Sequence, residues 1–155
     1  MFGLKKKKIE LTLPVTGEII DLSQVDDEVF SQGIMGQGFA VKPTENEIYA
    51  PVTGTITSVF PTKHAIGILT KQGVELLLHL GLGTVELAGT TFETLVTVGQ
   101  EVDPETKLCE MDQKQIIEAG KSNEVLVLVT SGEEVTMLAN DVQPHGTLCA
   151  SVKIK

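Results

Sequence analysis

The chain has 155 residues, a formal net charge of −9, and twelve lysines with no arginine. An acidic surface without arginine repels phosphate backbones and cannot form arginine clamps, which excludes nucleic-acid binding and arginine-finger chemistry. No apolar run approaches the ~20 residues of a membrane span, and no apolar stretch follows the basic start MFGLKKKK as it would in a signal peptide. We therefore predict a cytoplasmic protein without membrane insertion.

The chain is predicted to start with a short basic tail over residues 1–8 and to continue as a single domain over 9–155, because no linker divides the rest. Val, Ile and Thr number 17, 11 and 17, and with 15 glycines this excess predicts an all-β chain with many turns. Closely spaced short strands are typical of an antiparallel β-sandwich or a closed barrel. Strands are predicted at 17–22, 38–42, 47–50, 54–60, 64–70, 74–80, 125–130, 134–138 and 147–154, and short helical turns at 23–30, around 90–95 and at 113–119.

A short sequence occurs twice along the chain. Residues 14–20 read PVTGEII and residues 51–57 read PVTGTIT, with five of seven positions identical at a separation of 37 residues. Each copy combines a proline-led entry, a glycine turn and a β-branched run. This spacing predicts two copies of one β-rich supersecondary unit.

Two histidines lie in a predicted hairpin between residues 61 and 87. With a four-residue loop, Thr70 to Gly73, His64 lies directly opposite His79, with Cβ atoms about 4.5–5.5 Å apart. With a three-residue loop, Lys71 to Gly73, the register shifts by one and the histidines lie on opposite faces. The sequence leaves both registers open.

The pair is suited to holding an anion. A neutral imidazole nitrogen is a good nucleophile near pH 7, and a second imidazole can donate a hydrogen bond to whatever the first carries. Thr62 lies on the same strand face as His64 and could orient its ring. The competing interpretations are two ordinary boundary histidines and a zinc site completed by Glu75 or Glu86, although common zinc-binding spacings such as HxH and HExxH are absent.

The segment KHAIGILTKQGVELLLHLGLGTVEL resembles the active-site hairpin of the glucose-type enzyme IIA component of the bacterial phosphoenolpyruvate:sugar phosphotransferase system. The resemblance covers nearly the whole chain and includes residues 17–43, 49–65 and 92–108. It implies an antiparallel β-sandwich with a duplicated half-motif, consistent with the PVTG repeat. It also implies that residues 9–155 form a single type-1 IIA domain.

The resemblance further implies roles for individual residues. His79 matches the phosphorylated histidine, His64 the histidine that hydrogen-bonds the phosphoryl group, and Thr62 the threonine that orients His64. The donor would be the phosphocarrier HPr and the acceptor a cysteine of the enzyme IIB domain of a sugar permease. Regulatory proteins are further expected partners, and no cofactor is expected. A docking rim for the partners would comprise Val29, Phe30, Ile34, Met35, Phe60 and Leu77.

One position departs from the family pattern, and other functions stay open beside the carrier. Gly83 stands where many members carry Asp, which puts in doubt any carboxylate beside the phosphohistidine. Residues 98–116 resemble a lipoyl or biotinyl carrier motif with Lys114 as the attachment site, but glutamines flank this lysine. A zinc hydrolase using His64 and His79 is the other alternative, and a transient zinc ion at these histidines also stays open.

Overall fold

The computed structural model describes residues 8–87 and 90–154. Most of the predicted basic tail lies outside the described residues, and Lys8 already pairs with Lys153 in the first strand. The division into a tail over 1–8 and a domain over 9–155 stays a prediction. The strands are Lys8–Thr12 (β1), Gly17–Asp21 (β2), Gln37–Pro43 (β3), Glu47–Tyr49 (β4), Gly54–Val59 (β5), Ala65–Leu69 (β6), Glu75–Leu82 (β7), Phe92–Thr94 (β8), Glu101–Val102 (β9), Lys107–Met111 (β10), Ser122–Val129 (β11), Val135–Met137 (β12), Asp141–Gln143 (β13) and Leu148–Lys153 (β14).

In the described part of the chain these strands form three antiparallel sheets. The largest has eight strands in the order β13-β2-β3-β11-β7-β6-β5-β9, and two smaller sheets have the orders β1-β14-β12 and β4-β10-β8. All three sheets contribute to one apolar core, in which Leu76, Leu78 and Leu80 of β7 are 2 %, 0 % and 0 % exposed. Each such side chain contributes roughly 1.5–3 kcal/mol by burial. The all-β sandwich is confirmed, whereas the closed barrel is not, because the large sheet ends at β13 and β9.

The two halves of the molecule are related by a pseudo-two-fold axis. Exchanging β13 with β9, β2 with β5, β3 with β6 and β11 with β7 reverses the order of the large sheet and so leaves its pairings unchanged. Exchanging β1 with β4, β14 with β10 and β12 with β8 interconverts the two small sheets. The repeated segments bond to each other reciprocally, since the Thr12 N–H donates to the Pro51 carbonyl at 2.8 Å and the Tyr49 N–H donates to the Pro14 carbonyl at 2.7 Å. The predicted duplication is therefore confirmed.

A second repeat was not predicted from the sequence. Residues 102–109, VDPETKLC, and 142–149, VQPHGTLC, share Val, Pro, Leu and Cys in register and form β9–β10 and β13–β14. Their cysteines, Cys109 and Cys149, are both buried and free. Burial raises the pKa of each thiol to about 12, so both behave as core side chains.

The helical segments differ in part from the prediction. A 3₁₀ turn at Leu22–Gln24 and the helix Glu28–Ser31 (α1) divide the predicted 23–30 segment, and the helix Gln113–Glu118 (α2) follows its N-cap Asp112 as expected. The helical turn predicted around 90–95 is wrong, because residues 92–94 pair with β10 as a strand and bury Phe92. Within the described ranges, no helix is long and apolar enough to cross a membrane.

Short strands account for most of the strands that were missed. The strands β8, β9 and β13 have only two or three residues each, too few for an alternating pattern to be read. Two five-residue strands, β1 and β10, were also not predicted, and the tail predicted over residues 1–8 includes Lys8, the first residue of β1. A 3₁₀ turn at Thr84–Leu87 directly after β7 was also not predicted.

Candidate functional site

The register of the β6–β7 hairpin is the one expected for a three-residue loop. Ala65 lies opposite His79 and Leu69 opposite Glu75, and the Thr70 N–H donates to the Val74 carbonyl at 2.9 Å. The four-residue loop, with His64 directly opposite His79, is therefore wrong. The consequence drawn from the other register is also wrong, because the two imidazoles do not lie apart: their ring centroids are 5.2 Å from each other, with ring planes at 77°.

The histidines meet because His64 precedes the strand. A tight turn, closed by a 2.7 Å bond from the Lys63 N–H to the Phe60 carbonyl, leads into β6, and Lys63 has a positive φ of 62°. His64 therefore does not follow the alternation that governs the strand interior. Pro61 at the second position of this turn is a sequence signal that could have revealed the bend.

The ring of His79 is oriented by its own strand. Its Nδ1 lies 2.7 Å from the carbonyl oxygen of Gly81. A carbonyl can only accept, so Nδ1 carries the proton and Nε2 of the neutral ring keeps its lone pair. Gly81 has φ of 79°, a conformation that side-chain-bearing residues rarely adopt.

Both imidazoles are held in the neutral form. Burial lowers the pKa of His79 and outweighs the opposing hydrogen bond to Gly81, while His64 lowers it further and Asp27 raises it. Burial also lowers the pKa of His64. Each ring therefore keeps an unprotonated nitrogen near neutral pH.

Thr62 contacts the second histidine as the sequence predicted. Its hydroxyl oxygen is hydrogen-bonded to Nδ1 of His64. When the hydroxyl donates, the ring proton of His64 lies on Nε2, where it can be donated to an anion bound at His79. The structure thus brings together all three residues predicted for the reaction.

Aromatic rings flank both histidines. Phe30 lies 4.8 Å from His79 between ring centroids, and Phe60 meets His64 edge-on at 5.4 Å. Phe30 belongs to α1, whose N-cap Asp27 accepts hydrogen bonds from the Val29 and Phe30 N–H groups at 2.9 and 3.2 Å. Asp27 was missed as a site residue, although an aspartate two residues before Val29 is an N-cap signal.

The predicted docking rim divides into exposed and half-buried residues. Val29, Ile34, Met35 and Phe60 are exposed, with Ile34 reaching 66 %. The remaining two, Phe30 and Leu77, are half-buried and pack against a small apolar cluster beneath α1. This cluster comprises Ile20, Leu22, Val25, Ala40, Leu82, Leu126 and Leu128.

The two histidines suggested for a zinc hydrolase lie close together, but the carboxylate that would complete the site is not grouped with them in the described part of the chain. Glu75 lies four residues from His79 along β7, a distance of roughly 13 Å in a strand. Glu86 forms an ion pair with Lys121 at 3.1 Å. Among the residues that the structure describes, no three His, Cys, Asp or Glu side chains are grouped to hold a metal ion.

The alternative attachment site is not at a hairpin tip. Lys114 lies on α2 with its side chain exposed. A lipoyl or biotinyl lysine would occupy the tip of a β-turn, so the local structure does not match that motif.

The pseudo-two-fold axis does not repeat the site. Leu78 of β7 pairs with Val127 of β11 near the axis. On one side of this pair His79 lies opposite Leu126, and on the other side Leu77 lies opposite Leu128. Exchanging the halves therefore brings Leu128 to the position of His79. The duplicated fold carries its histidine pair in one half only.

The sequence matches the profile of a known family. Residues 9–135 match the family described as phosphoenolpyruvate-dependent sugar phosphotransferase system, EIIA 1. The chain belongs to this family. As an EIIA component it is a phosphocarrier in sugar uptake, and the resemblance identified from the sequence is confirmed.

Individual relatives agree with this assignment. The glucose-specific EIIA component of Mycoplasma capricolum is 44 % identical over 131 residues, covering 84 % of this chain and 85 % of its own. The corresponding component of Staphylococcus epidermidis is 38 % identical, with coverages of 92 % and 89 %. The solved structure of glucose permease IIA from Mycoplasma capricolum superposes with a TM-score of 0.88 at 38 % identity, covering 97 % of this chain and 99 % of that one.

Some relatives contain this unit within a longer protein. The beta-glucoside-specific EIIBCA component of Bacillus subtilis is 43 % identical over 88 % of this chain, which spans only 23 % of that protein. Sequences similar to this chain therefore occur both as short proteins and as one part of a longer protein.

Proposed function

We propose that Nε2 of His79 accepts a phosphoryl group from phosphorylated HPr and passes it to a cysteine of an enzyme IIB domain. In the first step an N–P bond forms at His79 as the donor's N–P bond breaks. In the second step an S–P bond forms as the His79 N–P bond breaks, so no oxidant or cofactor is needed. The observation that carries this proposal is the 2.7 Å contact of His79 Nδ1 with Gly81, which leaves Nε2 as the free nucleophile.

His64 and Thr62 are proposed to stabilise the transferred group. The ring of His64 lies 5.2 Å from that of His79, and with the Thr62 hydroxyl as donor to Nδ1 the ring proton of His64 is on Nε2. This nitrogen donates to a phosphoryl oxygen as negative charge develops there. The histidine pair binds the phosphoryl group only modestly, because the chain has no arginine. Modest binding suits a group that must be transferred again.

The exposed apolar residues around the site are proposed as the docking surface for both partners. Val29, Ile34, Met35 and Phe60 offer exposed apolar area, and the Phe60 ring contacts His64. Phe30, which contacts His79, and Leu77 are half-buried on the small apolar cluster. Docking on this surface expels water and protects the phosphohistidine from hydrolysis. The EIIBCA name of a relative supports an IIB domain as acceptor. We place the exchange in the cytoplasm, and regulatory proteins are further candidates for this surface.

Reconstitution tests the proposal. The protein is incubated with phosphoenolpyruvate, enzyme I and HPr, and the phosphorylated residue is mapped by mass spectrometry. His79→Gln should take up no phosphate, whereas His64→Gln should be labelled but should transfer the group poorly to a IIB domain. His145→Gln is the matched control, because this third histidine stacks on Tyr49 in a separate loop. Stoichiometric labelling of His79→Gln would overturn the assignment.

A further inference from the structure

Thr84 is a polar residue with no solvent exposure, shortly after the strand that carries His79. It begins the 3₁₀ turn that follows β7 and is 0 % exposed. Its hydroxyl donates to the carbonyl oxygen of Leu80 at 2.6 Å. A buried hydroxyl has to be paired, and this one is paired with the backbone next to the reacting histidine.

The Thr84 hydroxyl acts as a donor where the backbone N–H of His64 would normally donate to β7. Residues that face each other in a hydrogen-bonded antiparallel pair normally exchange two backbone bonds. Here the Leu80 N–H donates to the His64 carbonyl at 2.7 Å, while the Leu80 carbonyl accepts from Thr84. The ladder therefore ends at Leu80 with its carbonyl satisfied, and His64 is free to leave the strand and turn its ring toward His79.

The methyl group of Thr84 acts on the neighbouring residue. A Cβ atom built on Gly81 would lie 2.5 Å from Cγ2 of Thr84, so the methyl packs directly over the glycine. The Leu80 carbonyl belongs to the peptide group that precedes Gly81, and the carbonyl of Gly81 itself accepts from His79. Thr84 therefore contacts the backbone that orients the His79 ring in two ways. Its hydroxyl bonds the Leu80 carbonyl, and its methyl group packs against Gly81.

We propose that Thr84 is a positioning residue for phosphotransfer: it aims the Gly81 carbonyl at His79 and ends the strand ladder where His64 must turn outward. It touches neither the phosphoryl group nor a partner protein. Its effect passes through the backbone of Leu80 and Gly81 to the two imidazoles. The functional part of this inference rests on the proposed role of His79.

Two substitutions separate the hydroxyl from the methyl group. Thr84→Val keeps the shape and removes the donor, whereas Thr84→Ser keeps the donor and removes the methyl group. Nitrogen-15 NMR of the histidine rings reports the tautomer directly, with His145 as an internal reference in each spectrum. In the wild type and in Thr84→Ser we expect His79 protonated at Nδ1. In Thr84→Val we expect a substantial population protonated at Nε2.

Transfer kinetics provide the second measurement. Thr84→Val should lower the maximal rate of phosphorylation by phosphorylated HPr about tenfold, comparable to losing one buried hydrogen bond. The KM for phosphorylated HPr should stay unchanged, because the exposed docking surface is untouched, and Thr84→Ser should restore most of the rate. Thr84→Val also leaves the Leu80 carbonyl unpaired, so its unfolding midpoint is measured first, and the comparison is made at a temperature where both variants are folded.

The outcomes distinguish this inference from the proposed function. An unchanged His79 tautomer in folded Thr84→Val would overturn the positioning role, whatever the rates. A rate loss that Thr84→Ser does not restore would overturn the role of the hydroxyl. If the wild type were not phosphorylated on His79, the proposed function would fail, while the tautomer measurement would still decide the structural part.

Discussion

The ring of Phe30 covers the ring of His79 at 4.8 Å between centroids, tilted by 54°. Asp27 caps the short helix that carries Phe30, which stabilises the backbone that holds this ring. This covering contributes to the burial that lowers the pKa of His79. Nε2 must be unprotonated to accept a phosphoryl group. The Phe30 ring therefore extends the pH range over which His79 can react to lower pH.

We predict that Phe30→Ala shifts the acid limb of the phosphorylation rate to higher pH. In the wild type, the rate should hold below the ordinary histidine pKa of 6.5 and decline only as His79 gains a proton. Removing the phenyl ring exposes His79 and moves its pKa back toward that value. The rate against pH and the NMR titration of His79 measure the shift.

The matched control is Phe60→Ala, whose ring meets His64 instead of His79. It should move the titration of His64 and leave that of His79 nearly unchanged. Coincident acid limbs in the wild type and Phe30→Ala would show that the phenyl ring does not set this pKa. Because Phe30 also lies in the proposed docking surface, the KM of Phe30→Ala for phosphorylated HPr is expected to rise at every pH.

The same pKa shift predicts a pH dependence of stability. The folded-state pKa of His79 lies below the unfolded value of 6.5. At pH values between these two pKa values, the unfolded chain therefore binds the His79 proton more readily than the folded chain does. The free energy of unfolding should therefore fall as the pH drops from 6.5 through the folded-state pKa. Urea unfolding at several pH values should show a shallower decline for His79→Gln than for the wild type, and equal slopes would contradict the linkage.

Gly81→Ala should damage the site more than an equally strained glycine elsewhere on the hairpin. A new Cβ would lie 2.5 Å from Thr84 Cγ2 and 2.6 Å from the Ser122 carbonyl, in addition to the cost of a φ of 79°. We expect a loss of about 2–4 kcal/mol in unfolding free energy together with impaired phosphorylation. Chemical denaturation and the labelling assay measure both effects.

Gly73→Ala supplies the control for backbone strain. Its φ is 89°, but nothing lies within 4 Å of the added Cβ. It should cost only about 1 kcal/mol and leave phosphorylation intact. If the two variants were equally stable and equally active, close packing at Gly81 would not be what orients His79.

The histidine pair could be predicted from sequence, but its geometry could not. The spacing of His64 and His79 and the all-leucine face of β7 placed both residues on one hairpin, and the resemblance assigned their roles. Neither predicted register gave the correct contact, because His64 precedes β6 and does not belong to a regular strand. A positive φ at Lys63 turns the chain just before β6, and one residue in an unusual conformation overrides the alternation.

The support behind the site was harder to predict than the site itself. Thr84 acts through backbone groups, and one threonine among 17 does not stand out in the sequence. Asp27 carries an N-cap signal, but that signal indicates a helix start and not a role beside a histidine. The duplicated PVTG segment was visible because its turn chemistry is restrictive. The second repeat gives a weaker signal, because only four of its eight positions are shared.

Thr62→Val should uncouple acceptance of the phosphoryl group from its delivery. Valine keeps the β-branched shape but removes the hydroxyl that bonds Nδ1 of His64. His79 should still be labelled, while transfer to a IIB domain slows by about tenfold, the order expected for one lost hydrogen bond. Thr62→Ser should recover the transfer rate. Equal transfer rates for Thr62→Val and the wild type would remove Thr62 from the mechanism.

Gly83 offers a test of the missing family aspartate. Its φ is 76°, and an added Cβ would lie 3.2 Å from Cδ and 3.8 Å from Nζ of Lys121, whose ammonium now pairs with Glu86. Asp and Asn tolerate this conformation best, so Gly83→Asp and Gly83→Asn should carry similar backbone strain. Only the aspartate adds a charge that Lys121 can bind.

We therefore expect Gly83→Asp to be more stable than Gly83→Asn by roughly 0.5–1 kcal/mol at low salt, a typical value for a partly exposed ion pair. High salt should reduce this difference, and Lys121→Met should abolish it, since the pairing partner is gone. Urea unfolding of the single and double variants measures each value. A difference that persists in Lys121→Met would mean that the carboxylate acts on another group near the histidines, and phosphorylation rates of the same variants would then show whether that group is His79.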